Sequence, residues 1–213
     1  MELINQYFDG LTPEQIIQFQ KAIAAYKDWN AKINVVSRKN IDHLEEHHFL
    51  HSLALSKFLS SQPQDILDVG CGGGFPGIPL SILYPQSRFM LVDSIAKKIK
   101  VVNAVAQEAD LSNAKGFQMR AEEVENEFDI ILSRAVAPLK TLISWNVANL
   151  KDSGQFLLLK GGDLTEEIQD AKQTFPGLTF TLHPLSEQFQ ESFFETKSVI
   201  QASLHDWVRQ EPA

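Results

Sequence analysis

Asp68-Val69-Gly70-Cys71-Gly72-Gly73-Gly74-Phe75-Pro76-Gly77-Ile78-Pro79-Leu80 decides the fold. A short apolar strand, Ile66-Leu67-Asp68-Val69, runs into glycines at 70, 72, 73 and 74, and a helix follows over about 77–84. Glycines at that density leave no side chains between the backbone and an approaching ligand. The helix that starts just beyond turns its first amides toward the same crevice.

Downstream of this loop, strands and helices alternate. Phe89-Met90-Leu91-Val92-Asp93 reads as a strand and 95–109 as a helix; Phe117-Gln118-Met119 is a weaker strand. Phe128–Ser133 and Phe156–Leu159 are strong strands with a helix over 139–149 between them. After a helix over about 164–174, runs at 178–183 and 194–203 read as a terminal antiparallel pair. Such alternation implies an α/β fold of the Rossmann-like kind: a mostly parallel sheet covered by helices on both faces. Its ligands bind at the carboxyl ends of the strands, so the loops after Val69, Val92, Met119 and Leu132 are the ones to watch.

Upstream the pattern is helical. Thr12-Pro13-Glu14-Gln15 predicts a capping box, and Ile16, Phe19, Ile23 and Tyr26 place one apolar face along a helix reaching about Trp29. A second helical stretch carries Leu44, His48, Leu55 and Leu59 and ends at Ser60-Ser61-Gln62-Pro63. The expected organisation is therefore an N-terminal helical extension over 1–63 and a Rossmann-like domain over 64–213.

The bulk properties of the 213-residue chain are those of a globular protein, with 44% hydrophobic and 22% charged residues. One cysteine, Cys71, precludes an intramolecular disulfide. No run approaches the ~18 apolar residues of a membrane span, and MELINQYFDG lacks the character of a signal peptide. A cytoplasmic monomer is expected. The net charge of −8 resides mostly at the C-terminal end, where residues 161–213 hold three basic and nine acidic side chains. A locally basic face elsewhere is compatible with that sum.

Asp93, at the end of its strand, suits the two hydroxyls of a ribose, and so an adenosine cofactor. Gly72–Gly77 formally satisfies the dinucleotide pattern G-x-G-x-x-G. Pro76, however, removes an amide that a pyrophosphate would use, and Asp68 would repel such a group. An acid at Asp68 suits the ammonium or sulfonium end of S-adenosylmethionine, directly or through water. The reading is a methyltransferase, with a nicotinamide enzyme as the rival.

The loop Leu132-Ser133-Arg134-Ala135-Val136-Ala137-Pro138 has no Asn/Asp-Pro-Pro-aromatic signature, which argues against an exocyclic amine as methyl acceptor. Cys71 lies in the glycine loop, so no separate thiol attacks a pyrimidine ring. Guanine N7 has a free lone pair and no proton to lose, and its methylation needs little beyond alignment. Arg134 could hold the cofactor end, bind guanine O6 or a phosphate, or form an ion pair with Asp68 or Glu122.

The quoted loop closely resembles the core motif of the RsmG (glucose-inhibited division protein B, GidB) family. The likeness extends to Trp29–Asn34, Asp93–Lys98, Arg120–Glu123, Ser133–Ala135 and Leu159–Gly161, in order over about 130 residues. It implies methyl transfer from S-adenosylmethionine to guanine N7 of 16S ribosomal RNA, as naked rRNA, the 30S subunit or its assembly intermediate. It also implies that Gly70 and Phe75 line the cofactor site, that Ala121 and Glu122 lie beside the adenine, and that Arg134 touches the cofactor or the reacting centre. The reading of the glycine loop and strand ends adds Gly72, Gly74 and Asp93 to that site. Phe75 could equally be a core aromatic, and Glu122 a solvated acid. A small-molecule methyltransferase and a non-catalytic RNA-binding module are the alternatives.

The chain departs from the family's His-x-x-Asp-Ser-Leu at His48-Phe49-Leu50-His51-Ser52-Leu53, where His51 replaces the acid. His43, His47, His48 and His51 share one helix and no cysteine, so a half-solvated helix face is expected there rather than a metal. Lys21, Lys27, Lys32, Arg38 and Lys39, with Lys160, are the candidate RNA-facing cations. Asn30 and Asn34 suit a helix end and turn.

Overall fold

The computed structural model describes residues 1–37 and 40–204. Seven strands form one sheet: β1 (Asp65–Val69), β2 (Arg88–Asp93), β3 (Ala114–Gln118), β4 (Phe128–Arg134), β5 (Leu150–Gly161), β6 (Leu178–Pro184) and β7 (Lys197–Leu204). Their order is β3-β2-β1-β4-β5-β7-β6; β1–β5 are parallel and β7 is antiparallel to both neighbours. The expected mostly parallel sheet with a terminal antiparallel pair is present. The strand order reverses direction between β1 and β4, which places the crevice above the Gly70 loop.

Side chains alternate across the sheet with the two-residue period of a strand. Ile66, Ile130, Leu132, Leu157 and Leu159 enter one core; Leu67, Val69, Ile131, Phe156 and Leu158 enter the other. Helices α4 (Gly77–Leu83) and α5 (Ala96–Glu108) cover the first face, and α6 (Leu139–Asn146) and α7 (Thr165–Thr174) the second. The N-terminal segment adds α1 (Glu2–Tyr7), α2 (Pro13–Lys32), and a helical run made of a π turn (Glu45–Leu50), α3 (His51–Leu53) and a 3₁₀ turn (Ala54–Phe58). These pack onto the first core, where Phe19, Tyr26, Phe49 and Leu53 are fully buried. Burying such a side chain contributes roughly 1.5–3 kcal/mol.

The capping box forms as read: the Gln15 amide donates to Thr12 Oγ1 (3.2 Å) and the Thr12 amide to Gln15 Oε1 (3.0 Å). Gln15 Nε2 also donates to the carbonyls of Ile82 and Leu83, satisfying orphan groups at the end of α4. Several bounds differ from the reading: β5 starts at Leu150 rather than 156, the last strand starts at Lys197 rather than 194, and the third strand lies nearer the N-terminus. The strand expected at 117–119 runs over 114–118, where each residue is in register with β2, and Asn103 of α5 bonds both the amide and the carbonyl of Gly116 on its free edge (2.8 and 3.1 Å). A Cβ at 116 would sit 3.0 Å from Val102, so a residue that looks like a strand breaker is what lets α5 approach.

Candidate active site

The glycine loop is held from both sides. Gly70 has φ +62°, and a Cβ there would meet Val136 Cγ2 at 2.6 Å, so both conformation and space demand glycine. From below, the Tyr26 hydroxyl donates to the Gly73 carbonyl (2.6 Å) and its ring stacks on Phe75 at 4.6 Å. From the outer side, a Cβ on Gly73 would lie 3.0 Å from Val35. Val35 is set by Asn30, whose Oδ1 accepts the amides of Val35 and Val36 and whose Nδ2 donates to the Val36 carbonyl (2.9 Å each). Asn30 thus takes the turn-forming role.

Two adjoining cavities open at the carboxyl ends of the strands. One, of about 240 Å³, has Val92, Ile95, Met119, Ala121, Glu122 and Trp145 in its walls. The other, of about 350 Å³, is bounded by Val35, Cys71, Gly72, Phe75, Arg134 and Ala135. Gly70, Asp93, Lys98 and Val136 line both and form the neck. Of the expected site residues, Gly70, Gly72, Phe75, Asp93, Ala121, Glu122 and Arg134 therefore line one continuous crevice.

Gly74 and Asp68 line neither cavity. A Cβ on Gly74 would meet Ile78 at 2.7 Å and the Tyr26 hydroxyl at 2.8 Å; this glycine lets the loop pack on the core. Val35, Lys98, Val136 and Trp145 were missed. Val136 carries the one available signal, its place two residues beyond Arg134 in the loop after β4. Ala135 between them adopts φ +51°, and both neighbours line the second cavity.

Asp93 organises the neck. Its Oδ2 accepts the Gly72 amide (3.1 Å) and Lys98 Nζ (3.4 Å), and its Oδ1 accepts the Ile95 amide (2.9 Å). Arg134 is bonded to no carboxylate among the described residues; its guanidinium lies 5.1 Å over the Phe75 ring. Burial lowers its pKa to about 10, against the raising effect of Asp68. Cys71 is buried and its thiol pushed well above the usual range, so it remains a neutral wall of the cavity.

Asp68 is fully buried beneath the loop; Oδ2 accepts the Gly77 amide at 2.8 Å and Oδ1 has no partner. Burial raises its pKa to about 7, with Gly77 and Arg134 opposing and Asp93 reinforcing the shift. The folded protein then holds a proton between pH 3.8 and about 7 that the unfolded chain releases. Stability falls as pH rises through that window, by on the order of 4 kcal/mol at most. In ligand-free protein the advantage in melting temperature of Asp68→Asn over wild type should grow from pH 5.5 to pH 8. A pH-independent difference between the two melts would mean that Arg134 keeps the carboxylate ionised throughout.

The remaining sequence candidates scatter. Lys21 pairs with Asp110 (2.5 Å), and Lys160 donates to the Ala137 carbonyl (2.8 Å) and to Glu167, fastening the loop after β4. Lys27 and Lys32 are exposed; Arg38 and Lys39 lie outside the described residues. His51 is buried against Phe193 and Phe194 and its pKa is driven well down, chiefly by burial, so it is neutral. His43, Glu46 and His47 bring donor atoms within 4.8 Å of one another. The His47 ring, however, is stacked between His43 (17° between planes) and Phe193 (16°), and its Nδ1 is buried without a partner. Stacked rings direct their lone pairs in parallel planes, not at a common ion.

Comparison with known proteins adds the family. The family described as "GidB: rRNA small subunit methyltransferase G" matches residues 14–189. A ribosomal RNA small subunit methyltransferase G of Flavobacterium psychrophilum is 50% identical over 211 residues, covering 96% of this chain and 98% of its own. One from Bacteroides thetaiotaomicron is 46% identical over 211 residues, covering 96% and 100%. Among solved structures, the O-methyltransferase of a Brevibacillus brevis trans-AT polyketide synthase multienzyme, in complex with S-adenosyl-L-homocysteine, superposes with a TM-score of 0.59. It is 15% identical and covers 84% of this chain and 79% of that one, a likeness of fold alone. With the family model spanning most of the chain and relatives near half identity along their whole length, this chain belongs to the GidB, or rRNA small subunit methyltransferase G, family.

Proposed function

We propose that this protein transfers the methyl group of S-adenosylmethionine to N7 of a guanine in small-subunit ribosomal RNA. The observation that carries the reading is the two-part crevice joined at Gly70 and Asp93. The largely apolar slot of Val92, Ile95, Met119, Ala121 and Trp145 fits an adenine. Asp93 at the neck fits a ribose, and Arg134 in the second cavity fits a carboxylate. A glycine at 70 is what keeps the neck open, since any Cβ would close it against Val136.

S-adenosylmethionine, when bound, supplies a methyl group activated on a sulfonium. The protein's share is orientation. Val136 and Phe75 wall the second cavity, and Asn30 holds Val35 at its rim. Its ionisable side chains are engaged or neutral: Asp93 accepts three donors and Cys71 stays a thiol. That suits an acceptor atom with a lone pair and no proton to remove, as at guanine N7.

The same reading assigns residues 1–63 to an extension that completes the site and 64–213 to the catalytic domain. Val35 reaches the second cavity from that extension. RNA docking is assigned to the exposed side of α2 and the adjoining turn of α5, where Lys32 and Lys100 respectively lie 5.0 and 5.8 Å from the Trp29 ring. The double charge reversal Lys32→Glu/Lys100→Glu should lower RNA affinity and reduce the slope of log K against log salt by about 1.5–2, with cofactor affinity unchanged. Equal slopes in filter-binding titrations would remove this face from the interface.

The deciding experiment is incubation with methyl-labelled S-adenosylmethionine and either 30S particles or naked 16S rRNA. Label in RNA, at a site cleaved by the chemistry specific for 7-methylguanosine, is expected. Cofactor binding without label in any RNA would overturn the substrate assignment. Among the described residues, no helix is long and apolar enough to cross a membrane.

A further inference from the structure

Arg134 leaves the end of β4, yet the groups that fix its guanidinium belong to another part of the chain. Nη2 lies 2.9 Å from His48 Nδ1, and Nη1 donates to the His47 carbonyl at 3.3 Å. Both acceptors lie in the π turn Glu45–Leu50 of the N-terminal segment. The third contact is the Phe75 ring, which the His48 ring also touches at 4.9 Å. A guanidinium only donates, so His48 Nδ1 must accept and its proton must sit on Nε2. Protonating both nitrogens would set an N–H against an N–H beside a cation.

We propose that His48 is a positioning residue: through Nδ1 it holds the Arg134 guanidinium in the orientation that faces the second cavity. The inference rests on the reading of that cavity as the cofactor site. The required tautomer leaves its proton on Nε2, which is buried with no partner among the described residues, while burial keeps the ring neutral. His48 is 8% exposed, and desolvation first, then Arg134 and His47, lower its pKa to about 3. The turn that carries it is itself fastened, with the Ser52 hydroxyl donating to the His48 carbonyl at 2.6 Å. A π turn is a local widening often found at functional sites, and here it presents a side chain and the preceding carbonyl to one guanidinium. The N-terminal segment thereby sets the geometry of a residue that the sheet supplies.

Asparagine and glutamine separate this role from packing. The Asn oxygen occupies the place of Nδ1, whereas the Gln oxygen occupies that of Nε2. Calorimetric titration with S-adenosylhomocysteine should find His48→Asn within about threefold of wild type and His48→Gln weakened roughly tenfold, the cost of one charge-assisted hydrogen bond. His48→Gln/Arg134→Ala should bind no worse than Arg134→Ala alone, because the two residues act as one unit. Equal losses in the Asn and Gln variants, or additive losses in the double variant, would overturn the proposal and leave His48 as packing. Arg134→Ala that binds like wild type would instead overturn the reading of the cavity. Should a variant melt early, ¹⁵N shifts of the wild-type imidazole give the same answer without substitution. An unprotonated, hydrogen-bonded Nδ1 is expected, and a proton on Nδ1 would end the argument.

Discussion

Gly70→Asp will abolish binding of S-adenosylmethionine and S-adenosylhomocysteine while the chain still folds. Three effects act together. The position has φ +62°, a backbone conformation that an L side chain adopts only with strain. Its Cβ would lie 2.6 and 2.7 Å from the two γ-carbons of Val136, which closes the neck between the cavities. The added carboxylate would stand at a neck that Asp93 already lines, two residues from Asp68. The expected loss in affinity is at least about 100-fold, equivalent to roughly 3 kcal/mol. Gly70→Ala keeps the first two effects without the charge and should lose less. Calorimetric titration, with circular dichroism to verify the fold, measures both. Affinity within a few-fold of wild type for Gly70→Asp would mean that Val136 yields and that the ligand does not pass this neck.

Asp93→Ala has the second largest expected effect, because one carboxylate aligns two walls of the crevice. It accepts the amide of Gly72 in the glycine loop and that of Ile95 at the start of α5, and it pairs with Lys98. Alanine leaves these donors unpaired at a site only 7% exposed, and removes the one carboxylate at the neck. A stability loss of about 1–3 kcal/mol is expected from the orphaned donors. The affinity for S-adenosylhomocysteine should fall roughly 100-fold, equivalent to about 2.7 kcal/mol. Asp93→Asn, which retains one acceptor oxygen, should fall between. A chemical melt and a titration on the same preparation separate the two quantities. Undiminished affinity in a destabilised variant would reduce Asp93 to a structural clamp.

Much of this architecture was legible in the chain because the signals are local. The Thr12–Gln15 box, the apolar run Ile130–Leu132 and the glycines from 70 to 74 each state a backbone preference within a few residues. Such preferences survive into the folded structure when packing agrees with them. The strand around Gly116 is displaced from the reading because its extent is set by pairing with β2 and its glycine is held by Asn103 of the preceding helix. Nothing in Ala114–Gln118 alone announces that partnership.

The site divides in the same way. Gly70, Asp93 and Arg134 were evident because strand ends in an alternating α/β pattern point at one crevice. Gly74 was grouped with them, since spacing cannot tell a glycine that admits a ligand from one that admits Ile78 and Tyr26. Asp68 has the chemistry for a cationic ligand, yet its burial beneath the loop became visible only in three dimensions.

By itself, then, the sequence determined the layered sheet, the glycine loop and the family, since each rests on patterns written within short stretches. Only the tertiary structure decided that Val35, Val136 and Trp145 close the crevice and that His48 holds Arg134. Those contacts join residues up to about a hundred positions apart. Folding brings them together through the burial of two cores, and no local preference encodes that meeting.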